Sequence, residues 1–280
     1  MIIGIIGLGL IGGSLAKSIK AKTLHTVFAT DTDEQTMTMA KLCGALDENL
    51  TSENISRCDL LFLAVKPSLA IECIKTRAKE ISSNTVVTDL CGIKRAVCEK
   101  VYPIAHENGF VFIGGHPMAG KERSGFVNST ADLFDQASII LTPEFENGLS
   151  IDILDKLKSF FIDVGFSSVI FARPEEHDRI IAYTSQLAHV ISSAYVKSPD
   201  ALKRRGFSAG SFRDMTRVAR LDEKLWTELF LCNRDFLIEQ IEILLKNTNE
   251  YLDALKNNDA EKLEALLREG REMKALAGGN

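Results

Sequence analysis

The feature that most restricts the fold of this chain is a short apolar run that meets a glycine-rich turn and then a helix. Ile2–Ile6 leads directly into Gly7-x-Gly9-x-x-Gly12, and helical periodicity follows. Gly7 permits the tight strand-to-helix turn, Gly9 lets the backbone approach a pyrophosphate, and Gly12 lets the helix pack closely on the strand. A pyrophosphate would then lie on the free N–H groups and the positive dipole end of that helix. The predicted cofactor-binding residues of this turn are Gly7, Leu8, Gly9, Leu10, Ile11 and Gly12.

A carboxylate nineteen residues after Gly12 indicates which dinucleotide binds. The segment 25–31 is typical of a second strand and ends at Asp31. Asp31 would accept hydrogen bonds from both ribose hydroxyls and repel a 2′-phosphate. Because Thr32 and Asp33 follow rather than an arginine, the expected cofactor is NAD rather than NADP.

Charge excludes one class of partner. The chain has 280 residues, a net charge of −5 and a pI of 5.7, which argues against nucleic acid binding. A small anionic substrate would therefore have to be bound by a local basic cluster rather than by the overall field.

The N-terminal apolar run differs from a signal peptide and from a membrane span. It lacks a basic leader, glycines interrupt it, and no later run reaches transmembrane length. The six cysteines show no C-x-x-C spacing, so neither a metal site nor a disulfide framework is indicated. We expect a cytoplasmic protein with no metal and no membrane partner.

Strand-like and helix-like segments alternate up to about residue 172, and only helical patterns follow. After the first two strands, the predicted strands are Leu60–Val65, Thr85–Asp89, Phe110–Ile113, Ser138–Leu141 and Phe166–Ile170. Strands separated by helices predict a parallel sheet that is covered on both faces. We therefore predict an α/β protein with a Rossmann-type dinucleotide-binding domain over residues 1–172 and an all-helical domain over residues 173–280.

Several polar or small residues follow predicted strand ends. These are Gly7, Asp31, Val65, Asp89 and His116. Ligands of such sheets lie beyond the carboxyl ends of the strands, so we expect these residues to converge on one crevice. Val65 and Asp89 therefore join the predicted cofactor-binding set.

The second half of the chain carries long apolar stripes at helical spacing. Helices are predicted over residues 175–198, 211–219, 222–247 and 248–270. The stripes exceed what one small helical layer needs to bury. An ordinary core and a subunit interface are equally open explanations.

His116 is the main candidate for chemistry in the first half. It lies among glycines and is followed closely by Lys121, Glu122 and Arg123. A neutral imidazole can accept a proton near physiological pH. Taken alone, a solvated surface histidine is the commoner explanation, but the nucleotide-binding turn in the same half favours a base.

Two motifs in the helical half place polar side chains four residues apart. Ser185 and His189 would share one face of a helix, as would Arg213 and Arg217. Two guanidiniums on one face suit a bound carboxylate. A buried core histidine, and arginines paired with acidic neighbours, explain the same motifs without any ligand.

Four motifs that occur together and in order resemble the prephenate/arogenate dehydrogenase family of tyrosine biosynthesis. They are GLGLIGGSLA, GGHPMAGKERSG, HDRIIAYTSQLAH and GSFRDMTRVA, with LWTELFLCN behind the last. The resemblance runs from Ile2 to about Ile241. It implies a Rossmann domain joined to a helical domain through which the protein forms a homodimer, with the active site between them. It also implies oxidative decarboxylation of a cyclohexadienol to an aromatic ring with NAD or NADP.

The resemblance also implies roles for individual residues. His116 matches the family histidine that assists deprotonation of the ring hydroxyl, and Arg217 matches the arginine that holds a substrate carboxylate. Glu122 and Asp178 match acidic residues that form a polar gate with that arginine. The predicted catalytic residues are His116 and Arg217, and the predicted substrate-binding residues are His189, Ser185, Arg213, Gln186, Lys121, Glu122 and Asp178.

Three departures from the family pattern leave the substrate open. Gln186 and Ala188 stand where histidine and proline are common. Gly92 stands where a serine hydroxyl is common, and Arg213 where lysine is frequent. We predict conversion of prephenate to 4-hydroxyphenylpyruvate, with arogenate as the second possible substrate. The sequence is also compatible with a β-hydroxyacid-type dehydrogenase and with a non-catalytic NAD-binding regulatory protein.

Overall fold

The N-terminal turn has the predicted strand–turn–helix form. The structure, a computed structural model, describes residues 1–144, 150–207 and 210–278, so the last two residues of the predicted helical domain lie outside it. Strand β1 (Ile2–Ile6) leads into helix α1 (Leu10–Lys22). Gly7 has a φ of 93°, which a side chain rarely allows, and a Cβ on Gly12 would lie 1.9 Å from the Gly7 carbonyl oxygen. The turn therefore requires glycine at both positions.

A six-stranded parallel sheet carries the first half of the chain. Its order is β3-β2-β1-β4-β5-β6, and all five pairings are parallel. The further strands are β2 (Thr26–Thr30), β3 (Glu48–Asn49), β4 (Leu60–Leu63), β5 (Val86–Asp89) and β6 (Val111–Phe112). The connecting helices are α2 (Glu34–Leu42), α3 (Pro67–Arg77) and α4 (Arg95–Asn108). The predicted α/β fold class is confirmed.

A second, three-stranded sheet departs from the prediction. Strand β7 (Gly114–Pro117) pairs antiparallel with β8 (Ser138–Thr142), which pairs parallel with β9 (Ser168–Phe171) across α5 (Ile151–Asp163). The expectation of one parallel sheet is therefore wrong: β8 and β9 are parallel to each other but lie in this second sheet, and β7 was not predicted as a strand. His116 lies inside β7 opposite Ile140, not in a loop beyond a strand end.

The described residues after Ala172 contain helices and no strand. They form α6 (Pro174–Ile181), a π-helical turn (Ala182–Leu187), α7 (Ala188–Tyr195), α8 (Gly210–Thr216), α9 (Glu223–Cys232), α10 (Arg234–Lys256) and α11 (Ala260–Ala277). The predicted helix 222–247 is in fact two helices that meet at Asn233. The predicted helix 248–270 is also wrong, because α10 continues to Lys256 and α11 begins only at Ala260.

Buried apolar side chains cover both faces of the parallel sheet. One cluster includes Ile5, Phe62 and Phe160, and the other includes Phe28 and Leu63. Leu229 of α9 packs into the second cluster. The helical half is therefore anchored directly on the core of the sheet half.

Candidate active site

One large cleft lies between the carboxyl edge of the parallel sheet and the helical half. Its volume is about 1040 Å³, room enough for a dinucleotide with a small substrate. Its sheet side is formed by Gly9, Leu10, Ile11, Val65, Gly92, His116, Lys121 and Glu122, and its helical side by Ser185, Gln186, His189, Arg217, Trp226 and Leu229, among others. Residues predicted from the two halves of the sequence therefore face one space.

The glycine turn is suited to hold the phosphates of NAD. Helix α1 begins without a side-chain cap and has no acidic residue in its first turn. A Cβ on Gly9 would meet nothing within 4 Å, so the backbone is open to an approaching ligand. Free N–H groups at a helix N-terminus bind phosphate.

Asp31 stands beside this turn at the end of β2. Its Oδ2 accepts a hydrogen bond of 2.6 Å from the backbone N–H of Leu8, and its Oδ1 accepts one of 2.9 Å from Asp33. Gly7, Leu8, Gly12 and Asp31 do not themselves line the cleft; they shape the turn that Gly9 presents to it.

Asp89 is placed differently from the prediction. Its side chain is fully buried and forms an ion pair with the buried Lys94 ammonium. Burial lowers the pKa of Lys94, but the Asp89 carboxylate and two nearby thiols outweigh it and raise that pKa overall. Asp89 does not line the cleft, and its charge is balanced by Lys94. It is therefore a structural residue rather than a cofactor contact.

His116 presents one edge of its ring to the cleft and the other to the protein. Nδ1 lies 2.9 Å from Nε2 of His177. Nε2 has no hydrogen-bond partner among the described residues and lies 3.7 Å from where a Cβ on Gly92 would stand. Burial is the main cause that holds the pKa of His116 well below its ordinary value of 6.5, with smaller contributions from His177 and Lys94. The His116 imidazole is therefore neutral at physiological pH.

The helical wall of the cleft is built around His189. Its Nδ1 lies 2.9 Å from the carbonyl oxygen of Val218, and its ring packs on Trp226 with centroids 3.7 Å apart. Burial is the main cause that lowers the pKa of His189, with a smaller contribution from Arg217. Ser185 lies in the π-helical turn one turn earlier and also lines the cleft.

Arg217 closes the rim of the cleft. Its Nη1 donates a hydrogen bond of 3.2 Å to Oε1 of Glu122, which joins the helical half to the loop after β7. Both side chains are more than half exposed, so the pair adds little stability and can rearrange around a ligand. On the same rim, Lys121 donates hydrogen bonds to the Asn128 carbonyl and to Thr130 Oγ1.

Arg213 and Asp178, two of the predicted substrate contacts, do not line the cleft, and a third, Gln186, lines it with its amide already hydrogen-bonded. Arg213 is 82% exposed, contacts Asp214 and does not line the cleft. Because α8 ends at Thr216, Arg217 lies beyond the helix and does not share a helical face with Arg213. The amide of Gln186 is already engaged, since it donates to the Leu229 carbonyl and accepts from Asn233.

Asp178 also does not contact the substrate space, contrary to the prediction. It is fully buried and is not part of a gate with Arg217. Its carboxylate accepts hydrogen bonds from the backbone N–H groups of Lys94 and Arg95, at 2.7 and 2.9 Å. Asp178 therefore caps the N-terminus of α4, where the side chain of the N-cap residue, Lys94, makes no capping hydrogen bond.

The residues behind this wall were not predicted from the sequence. His177 and Asn233 are buried with Asp178, and the partly exposed Arg95 joins them: Arg95 donates to Asn233 and Asp235, and Asn233 donates to the Asp178 carbonyl. Polar residues in apolar helical stretches were the available signal, but most of their partners lie more than 50 residues away in sequence.

The cleft is basic although the chain is acidic. Its charged lining residues comprise five cations, Lys66, Lys121, Arg123, Arg217 and Arg220, and two anions, Glu122 and Asp222. This is the local basic cluster that an anionic substrate requires in a chain of net charge −5.

Comparison with known proteins extends this description. A parallel sheet of this order, with a free helix N-terminus at its carboxyl edge, is typical of dinucleotide-dependent oxidoreductases. Residues 15–170 match the family model for the prephenate dehydrogenase nucleotide-binding domain, and residues 173–269 match the model for the prephenate dehydrogenase dimerization domain. The chain therefore belongs to the prephenate dehydrogenase family, and it is an NAD-dependent oxidoreductase as predicted.

Individual relatives are similar to this protein over nearly the whole chain. A prephenate dehydrogenase from Lactococcus lactis is 29% identical over 277 residues, covering 96% of this chain and 75% of that protein. The structure of prephenate dehydrogenase from Aquifex aeolicus with hydroxyphenyl propionate and NAD⁺ superposes with a TM-score of 0.82 at 26% identity, covering 99% of this chain and 98% of the other. Synechocystis arogenate dehydrogenase superposes with a TM-score of 0.82 at 25% identity, covering 99% and 100%.

Proposed function

We propose that this protein catalyses the NAD-dependent oxidative decarboxylation of prephenate to 4-hydroxyphenylpyruvate. The observation that carries the proposal is that His116 from the sheet half and Arg217 from the helical half line one cleft with the glycine turn. A base, a carboxylate-binding cation and a cofactor site are the three elements that this reaction needs.

His116 acts as the base. Its Nε2 faces the cleft unpaired, and its lowered pKa keeps it neutral, so it can accept the proton of the ring hydroxyl. NAD, when bound at the glycine turn, supplies the hydride acceptor. The oxidised ring then loses its carboxylate as CO₂, and the electron pair of the broken C–C bond makes the ring an aromatic phenolate. The proton held by His116 returns to the phenolate oxygen, so the protein mainly positions the substrate and holds one proton between the two steps.

Arg217 holds a carboxylate of the substrate. Its guanidinium is exposed at the rim, where Glu122 is its one ion-pair partner among the residues that the structure describes. Prephenate carries two carboxylates, which suits the excess of cations in the cleft. His189, Ser185 and Lys121 line the same cleft and complete the proposed substrate contacts.

Arogenate is the second candidate substrate. It differs from prephenate in bearing an ammonium group where prephenate has a keto group, and the similarity to an arogenate dehydrogenase structure supports its candidacy. The cationic lining favours the more anionic prephenate, because an added ammonium group would face a net positive wall.

We further propose a homodimer formed through the helical half. Large apolar side chains are exposed on its last two helices, including Leu245, Leu252, Leu255 and Leu267, at 45–63% exposure. The matched family model for this half is named a dimerization domain. Burial of these side chains against a second copy would remove apolar surface from water.

A cytoplasmic location is also proposed. All six cysteines are free thiols, which suits a reducing compartment. Across residues 1–144, 150–207 and 210–278, no helix combines the length and the apolar character that a membrane span requires.

The proposed function is tested by following NADH formation with prephenate, arogenate and a small β-hydroxyacid side by side. Prephenate should be turned over with the highest kcat/KM. Turnover of the hydroxyacid alone would support a β-hydroxyacid-type dehydrogenase, and NAD binding without any turnover would support a regulatory protein.

The role of His116 is tested by its pH dependence. Only the neutral imidazole accepts a proton, so kcat/KM should stay constant as the pH falls through 6.5 and decline only at more acidic pH. His116→Asn should lower kcat by about 10²–10⁴-fold, the usual contribution of a general base, and remove the acidic decline. An unchanged kcat and pH profile in His116→Asn would refute this role.

A further inference from the structure

The catalytic face of His116 is backed by two buried side chains that do not reach the cleft. His116 Nδ1 lies 2.9 Å from Nε2 of His177, and Nδ1 of His177 lies 2.7 Å from Oδ1 of Asp178. His177 is 2% exposed and Asp178 is fully buried, and neither lines the cleft. His116 belongs to β7, whereas the other two belong to α6, so this line of contacts crosses between the two halves of the chain.

The partners of Asp178 determine where each proton of this line lies. Its carboxylate also receives the N–H groups of Lys94 and Arg95, and a group that accepts from all these donors is ionised. Nδ1 of His177 must then carry a hydrogen, because a carboxylate can only accept. Burial is the largest influence on His177 and lowers its pKa, so the ring is neutral and its Nε2 bears a lone pair.

The lone pair on His177 also fixes the tautomer of His116. A bare Nε2 on His177 can only accept, so His116 donates from Nδ1 and carries its hydrogen there. Nε2 of His116 is then bare, and it is the nitrogen beside Gly92 that faces the cleft. In the opposite tautomer, Nε2 would carry a hydrogen and could not accept the substrate proton.

We propose that His177, oriented by Asp178, is a positioning residue that holds His116 in the one tautomer able to act as a base toward the cleft. This inference rests on the proposed function for the identity of the substrate but not for the tautomer itself. When His116 accepts the hydroxyl proton it becomes an imidazolium, and its Nδ1–H bond to His177 becomes charge-assisted and stronger. The contact with His177 therefore stabilises the imidazolium form of His116 after proton transfer, and it also selects the neutral tautomer that accepts the proton.

The charged groups around the pair are few. Lys94 lies behind β7, where its ammonium donates to the Gly115 carbonyl at 2.7 Å and is neutralised by Asp89. Arg95 contacts Asp178 from α4 through Nε at 3.4 Å. The Lys94 ammonium opposes an additional positive charge on the rings, whereas the carboxylate of Asp178 and, to a smaller extent, that of Asp89 raise the pKa of His177.

The first experiment is nitrogen-15 NMR of the imidazoles in the full-length protein at pH 7.5, without substrate. The chain has five histidines, and comparison with His116→Asn assigns the signals of His116. In the parent, His116 should show a protonated Nδ1 and a bare Nε2. In His177→Phe this preference should be lost, and in His177→Gln, whose amide oxygen can accept from Nδ1, it should be restored. A protonated Nε2 in the parent, or an unchanged tautomer in His177→Phe, would overturn the proposal.

The second experiment is steady-state kinetics with prephenate and NAD. His177→Phe should lower kcat by about 10–100-fold, since a slightly misplaced catalytic group costs up to about 10²-fold. Both KM values should stay within about twofold, because His177 does not line the cleft. His177→Gln should recover most of kcat. His25→Phe is the matched control: this histidine stacks on Phe160 away from the cleft, and its replacement should leave kcat unchanged.

The outcomes separate this inference from the proposed function. A parent protein that does not oxidise prephenate would sink the proposed function, while the NMR experiment would still decide the tautomer. If the parent is active and His177→Phe retains its full kcat, the positioning role is refuted. Should His177→Phe fail to fold, the parent NMR spectrum and His177→Gln still decide the question.

Discussion

Replacing Asp178 should destabilise the protein more than any surface substitution, because this one carboxylate serves buried donors from both halves of the chain. The N–H groups of Lys94 and Arg95 lie 2.7 and 2.9 Å from it, and Nδ1 of His177 lies 2.7 Å away. Asp178→Ala would leave these three donors without an acceptor, at about 1–3 kcal/mol each before water enters. We expect a net loss of about 3–5 kcal/mol, as for other broken buried charge networks.

Asp178→Asn refines this expectation. The amide keeps one accepting oxygen but turns an N–H₂ group toward a donor, so about 1–3 kcal/mol should be lost. Since domains are stable by only about 5–15 kcal/mol, either loss is measurable. Urea unfolding would be followed by the fluorescence of Trp226, the single tryptophan, and by far-UV circular dichroism.

Asp214→Ala is the matched control for these variants. Asp214 is 72% exposed and forms an ion pair of 3.7 Å with the exposed Arg213, so its loss should change the free energy of unfolding by no more than about 0.5 kcal/mol. If Asp178→Ala is as stable as Asp214→Ala, the assignment of Asp178 as the shared cap of α4 is refuted.

Two further predictions concern the helical half. In initial-rate measurements, Arg217→Ala should raise KM for prephenate about tenfold or more, with little change in KM for NAD. Arg213→Ala should leave both constants unchanged, because the Arg213 side chain lies outside the cleft. Equal effects of the two variants would contradict the structure. Analytical ultracentrifugation should give twice the chain mass of 30.9 kDa, and Leu252→Glu should shift this species toward the monomer; a monomeric parent protein would rule out the proposed interface.

The parts of the fold that depend on local chemistry were predictable from the sequence. The turn at Gly7 and the helix that begins at Pro67 follow from backbone preferences within a few residues. The break at Asn233 was missed because apolar periodicity continues across it, and only the buried hydrogen bonds of its amide, to Asp178 and Gln186, reveal it. Strand β7 was missed altogether, because its sequence Gly114–Pro117 holds two glycines and a proline and has no apolar alternation.

In the candidate site, the residues that could be predicted were those whose role is evident from their immediate neighbours in sequence. His116 was identified because glycines and charges surround it in sequence. Asp89 was assigned to the cofactor because it ends a predicted strand, and Asp178 was assigned to the substrate because it matches an acidic residue of the family motif. Their partners, Lys94 and the start of α4, become apparent only when the two halves are packed together.

The capping of α4 by a residue from α6 has a consequence for how small molecules reach the cleft. A hinge rotation that pulled α6 away from α4 would strip the first turn of α4 of its acceptor and break the contact between His116 and His177 in the same step. At the rim formed by the loop after β7, the contact between the two halves is the solvated pair of Glu122 and Arg217. Substrate entry and product departure should therefore proceed past that rim by side-chain rotation, while the two halves move as a single body.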